Sequence, residues 1–307
     1  MADLALVGRS PAGSSVHHIL TQIRQRQTLA AADHLLVRPR RGDLATVMRD
    51  LARELPGFLG KHPSLERDVF TTLIRIGLNL VGQDVKVAGI PRRAAERALS
   101  ILRKGVVALE QSWMTSANNA VKKYLAGMAS VNSGDSLPGY MAERIQQILA
   151  GELTPSGLIN AFSTAARETV YWKMAEGRFC KFGNDYARGL EILRHLGFSQ
   201  VSTNPVLAAK AFDEDTNLVE KLREGIHKNA TWKQSPKEYA HDMVMAGTLL
   251  ALWPNLEVFR PLALLTKNRD YMISFQLNPN VADDAKASLE DAKRAYKLAH
   301  RHLTAYD

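Results

Sequence analysis

The chain has 307 residues, 46% of them hydrophobic and 23% charged, with a net charge of +9 and a single cysteine, Cys180. This composition excludes a disordered chain and a disulfide-stapled scaffold, and it fits a folded protein of a reducing compartment, most simply the cytoplasm. The N-terminal apolar run is too short for a signal peptide. The longest apolar stretch, MVMAGTLLALW at 243–253, is about half a bilayer span and reads as a core helix, so no membrane is implied.

Charge is unevenly spread. Residues 1–150 carry 20 Lys+Arg against 12 Asp+Glu, whereas 151–307 carry 20 against 19. The basic residues of the first half are scattered. Only VRPRRG at 37–42 clusters, with no aromatic residue beside it, which argues against nucleic acid as a partner.

Along the chain the first signals are helical. From Asp43, apolar residues at Leu44, Val47, Met48, Leu51, Leu55 and Leu59 recur at helical spacing. Ser64 is placed to cap a helix over LERDVFTTLIRIGLNLVG, with Gly82 as its stop. Pro91 opens a long helical region rich in alanine and leucine. VNSGDSLPG at 131–139 has loop composition, and Thr154-Pro155-Ser156 starts a further helix. No strand and no repeat is expected before residue 176, so residues 1–175 read as an all-helical domain.

After Gly177 the pattern changes. RFCKFG at 178–183 leans towards strand and precedes a helical stretch, NDYARGLEILRHLG. Strand QVST then runs into Asn204-Pro205 and a helix over PVLAAKAF. Helices follow from about Asp215 to Gly225 and from Pro236 to Trp253. YMISFQLNP at 271–279 reads as a third strand, and the last helix has Ala285, Leu289, Ala292, Ala295 and Leu298 on one face. This alternation implies parallel βα units. The expected class is α + α/β, with a βα segment over 176–307 whose three strands are too few to close a barrel.

In βα folds, functional groups collect where strand C-terminal ends meet the next loop. Three positions qualify here: Gly183-Asn184-Asp185, Thr203-Asn204-Pro205 and Gln276-Leu277-Asn278. Two roles fit Asn204. Its carboxamide can hold a hydroxyl or carbonyl group, and asparagine before proline is also among the best helix N-caps. Asp185 likewise suits either a substrate-facing position or the cap of the following helix. The nine histidines show no metal-ligand spacing, and LVGRSPAGSS at 6–15 matches neither nucleotide fingerprint, so no metal or other cofactor is implied.

The segment LGFSQVSTNPVLAAKAF at 196–212 resembles the transaldolase signature, a strand ending T-T-N-P followed by a helix. ISFQLNPNVADDAKASLEDAKRAYKLA resembles that family's next strand, loop and helix. The resemblance covers roughly residues 178–307. It implies a (β/α)8 TIM barrel that transfers a three-carbon dihydroxyacetone unit between sugar phosphates through a lysine Schiff base, as in the pentose phosphate pathway. It also implies a substrate-holding amide at Asn204, flanked by Thr203 and Asn278, and a first-strand aspartate at Asp185. The third-strand glutamate falls on Gln276, which keeps the shape but cannot take a proton.

The family's Schiff-base lysine belongs to a strand beyond β-type segment 271–279. Lys210, Lys267 and Lys286 lie on helices or loops instead. The expectation is an N-terminal fragment of a longer transferase, inactive alone, whose open strand edges favour self-association. The alternatives are a degenerate barrel used for binding or regulation, and a helical interaction protein with a basic surface.

Overall fold

The computed structural model describes residues 12–37, 44–237 and 239–306, so most of the VRPRRG cluster lies outside the described residues. The chain is mostly helical (78%) with one small parallel sheet. It divides into two compact units. The first comprises residues 1–129, 137–180 and 194–197; the second comprises 130–136, 181–193 and 198–307. The division interleaves around the expected boundary at 175/176.

The first unit contains α1 (Ala12–Arg24), α2 (Thr28–Val37), α3 (Leu44–Lys61), α4 (Glu66–Val81), α5 (Asp84–Val87), α6 (Arg92–Ser112), α7 (Met114–Ala129), α8 (Leu137–Leu149), α9 (Pro155–Glu168) and α10 (Val170–Glu176). No strand occurs among its described residues. At its centre lies α4, which packs against α2, α6, α7 and α9. Its apolar residues cover a wide arc: Val69, Phe70, Leu73, Ile74, Ile76 and Leu78 are all buried, while Arg67, Thr71 and Arg75 form a less buried stripe. A helix with so broad an apolar face can pack against several neighbours at once. Gly77 lets α9 approach, since a Cβ there would stand 2.3 Å from Ile159 Cδ1.

All six apolar positions read in α3 are buried. Gly82 does cap α4, whereas Ser64 does not; it lies in a 3-10 turn over Pro63–Leu65, and α4 starts at Glu66. The long helical region after Pro91 breaks at Trp113, which separates α6 from α7. Thr154 caps α9 by accepting from Gly157 N, and Thr169 starts α10 in the same way from Trp172 N.

The second unit contains β1 (Phe182–Asn184), α11 (Leu190–Leu193), β2 (Phe198–Thr203), α12 (Pro205–Glu214), α13 (Thr216–Lys228), α14 (Ala230–Gln234), α15 (Ala240–Leu265), β3 (Met272–Phe275) and α16 (Ala285–Tyr306). The strands are parallel, in the order β1-β2-β3. Sequence places the first strand too early: RFCK is not strand, and β1 begins at Phe182. The helix expected over 184–197 shrinks to α11 and a 3-10 turn at Arg194–Leu196.

Only one sheet face is covered among the described residues. Val201 and Thr203 are buried, and α11 and α15 pack against β2 and β3. On the other side Gly183, Gln200, Ser202, Met272 and Ser274 are exposed. Parallel sheets are ordinarily covered on both faces. The outer edges of β1 and β3 are also unpaired among the described residues.

α15 anchors the helical layer. Ala208, Ala211, Leu218 and Ala251 form one apolar cluster, and Met245, Leu249 and Ala295 form another. The expected apolar face of α16 is rotated. Ala285 and Leu289 are exposed, while Asp291 is buried beside Ala295 because it meets polar partners there. No helix among the described residues is long and apolar enough to cross a membrane.

Candidate functional site

The strand ends of the second unit separate the five residues singled out from sequence. Asp185 is exposed beyond β1 and caps no helix, because α11 starts only at Leu190. The local bonding is done by its neighbour: Asn184 Nδ2 donates to Tyr186 O at 2.6 Å and to Arg188 O at 3.4 Å, folding the loop back. Thr203 is buried towards the helices, away from the open sheet face.

Asn204 is the N-cap of α12. Its Oδ1 accepts from Leu207 N at 2.9 Å, with Pro205 in the first helical position where no N–H is needed. The cap role read from sequence is therefore realised. It occupies the amide oxygen and leaves the NH2 end available.

Gln276 and Asn278 come together. Both line a small cleft of about 40 Å³ at the C-terminal end of β3, whose walls include Pro205, Val244, Phe275 and Leu277. Asn278 is held at both ends. Its N–H donates to Asp291 Oδ2 at 3.1 Å, and its side-chain oxygen accepts from Asn280 N at 3.0 Å. Gln276 is exposed, and its carboxamide has no partner among the described residues.

Two further residues of this cleft escape sequence reasoning. His241, in the first turn of α15, places Nε2 at 2.8 Å from Asp291 Oδ1, fifty positions away on α16. The Asp291 side chain is 4% exposed and that of His241 35%. Burial acts to raise the Asp291 pKa. The His241 hydrogen bond, the Asn278 N–H and the charges of His241 and Arg294 outweigh it and hold the carboxyl below its ordinary value. The pair is not visible as a motif, since nothing in the spacing of residues 241 and 291 marks them as neighbours.

Among the described residues no lysine lines this cleft. Lys181 pairs with Asp270, Lys267 sits in a left-handed turn at φ 54°, and Lys210 and Lys286 are exposed on α12 and α16. Comparison of the chain with family models, curated proteins and solved structures gives no match. The geometry of the cleft therefore has to speak for itself. An apolar wall with a few convergent polar groups is the ordinary lining of a small-molecule site, and at about 40 Å³ this cleft is smaller than most such pockets. Here the polar groups are two carboxamides and an imidazole backed by a buried carboxylate.

Proposed function

We propose that the second unit binds a phosphorylated α-hydroxyketone at the C-terminal ends of its strands, as a transaldolase-like βα module, and that none of its described lysines forms a Schiff base. The convergence of Gln276 and Asn278 on one apolar-walled cleft carries this reading. Amides suit a polyhydroxylated ligand because each offers both a donor and an acceptor. The consecutive parallel order of the strands and the Asn-Pro opening of α12 support it, as both are what the transaldolase resemblance implies.

The test is calorimetric titration of the full chain with dihydroxyacetone phosphate and fructose 6-phosphate. Saturable binding is expected, weakened about tenfold by Gln276→Ala or Asn278→Ala, the equivalent of about one net hydrogen bond. Absence of saturable binding of either compound overturns the reading. Borohydride added to the complexes should leave the protein mass unchanged, and a trapped adduct would instead place an imine on one of the lysines.

A further inference from the structure

Gln276 stands where the resemblance expects a proton-carrying glutamate, yet an amide carries no proton at neutral pH. The group able to do so lines the same cleft. His241 gives its Nε2 side to Asp291 at 2.8 Å, and its Nδ1 has no partner among the described residues. An ionised Asp291 accepts from Nε2–H, which fixes the tautomer with the lone pair on Nδ1. The same carboxylate stabilises the imidazolium that forms when Nδ1 takes up a proton. This is the arrangement in which a carboxylate orients a histidine base.

Other charges near the pair are Arg294 on α16 and Asp242 on α15, which bond to each other. That second contact already ties α15 to α16, so a clamp between the helices does not by itself require the histidine.

We infer that His241, oriented by Asp291, is the proton-transfer group of this cleft, and that it enolises a bound α-hydroxyketone. The inference rests on the ligand class proposed above. In the step, Nδ1 accepts the proton from the carbon next to the carbonyl. The C–H electron pair becomes the C=C bond of the enediolate, and the carbonyl π pair moves to oxygen. Two side-chain donors are available for that oxygen, Gln276 Nε2 and Asn278 Nδ2, the latter because Asn278 engages only its Oδ1 with Asn280. Return of the proton from the imidazolium restores the ketone. Since the imidazolium proton exchanges with solvent, the net result in heavy water is deuterium at the α-carbon. No oxidant, reductant or metal enters the balance.

The experiment follows the α-proton signals of dihydroxyacetone phosphate by NMR in deuterium oxide, with the full chain and with buffer alone. Loss of signal at least about 100-fold faster than in buffer is expected, the lower end of what positioned acid–base catalysis supplies. His241→Gln should return the rate to the buffer level while calorimetric binding stays within a few-fold. Added imidazole should partly restore exchange in His241→Gly. Asp291→Asn should slow exchange and move its pH profile to lower pH, because the imidazolium loses its counter-charge.

A protein that binds the ketone but leaves its α-protons at the buffer rate overturns the inference and spares the binding reading. So does exchange that His241→Gln leaves unchanged. Absence of binding in the calorimeter is the separate result that removes both.

Discussion

The two units use the same pair of side chains to different ends. In the helical unit, His195 Nδ1 lies 2.6 Å from Asp84 Oδ2, and the side chains are 1% and 0% exposed. In the βα unit, His241 meets Asp291 at 2.8 Å, but the imidazole is 35% exposed and borders a cleft. The first pair is sealed within a larger network. Arg194 reaches Asp33 at 2.9 and 2.5 Å, Asn79 at 2.6 Å and Asp84 at 3.3 Å. Burial raises the Asp84 pKa, yet the charges of His195 and Arg194 and the His195 hydrogen bond overcome it and hold the carboxyl low. Access to the imidazole, more than the identity of the partners, decides whether such a pair is structural or free to exchange a proton with a ligand.

The largest test of that contrast is Arg194→Ala. It removes the cation shared by the buried carboxylates of Asp33 and Asp84 and should cost about 3–5 kcal/mol, read by urea denaturation of the full chain. Replacing Arg223, an exposed residue paired with Glu220 on α13, should change little by the same measurement.

Acid sharpens the comparison. Asp84 and Asp291 are both held below the ordinary value of 3.8, so their contributions are complete above that value and disappear as pH falls through the lowered one. Stability followed by circular dichroism should therefore decline on the acid side. Asp291→Asn should remove only its own share of that dependence.

Glycines report how tightly each unit is packed. Gly77→Ala drives a methyl into Ile159 and should destabilise the chain by about 1–3 kcal/mol. Gly225→Ala on α13 meets nothing within 4 Å and should gain about 0.5–1 kcal/mol. Thermal melts of the two variants should shift in opposite directions.

A more local effect belongs to Asn204. Its alanine variant loses the α12 cap at a cost of about 1 kcal/mol, whereas Asn204→Ser keeps a neutral capping oxygen and loses the NH2 donor. If ketone binding falls in Asn204→Ser at unchanged stability, the amide reaches the ligand. Unchanged binding leaves Asn204 as a cap alone.

What could be read from sequence was local. Asn204-Pro205 announces a helix start because both signals lie within one turn of the backbone. The buried stripe of α3 repeats at a fixed spacing. The break at Trp113 has no glycine or proline to mark it. Asp291 displaces Leu289 from the covered face of α16 because a partner fifty positions earlier receives it, which periodicity cannot register. Asp185 fails as a cap because Asn184 folds the loop back and delays the helix to Leu190. The strand ends were therefore recognisable, while the groups that meet at them depend on long-range packing.

Arg194 also bears on the order in which the chain can fold. It lies in sequence between β1 and β2, yet its turn belongs to the helical unit, and it meets Asp33 across 161 positions. Helices α1 to α10 can be synthesised and begin to collapse before it emerges, but Asp33, Asn79 and Asp84 then lack their shared cation. Contacts so distant in sequence are slow to form. The buried ion network of the helical unit is thus completed by a segment synthesised after all its helices.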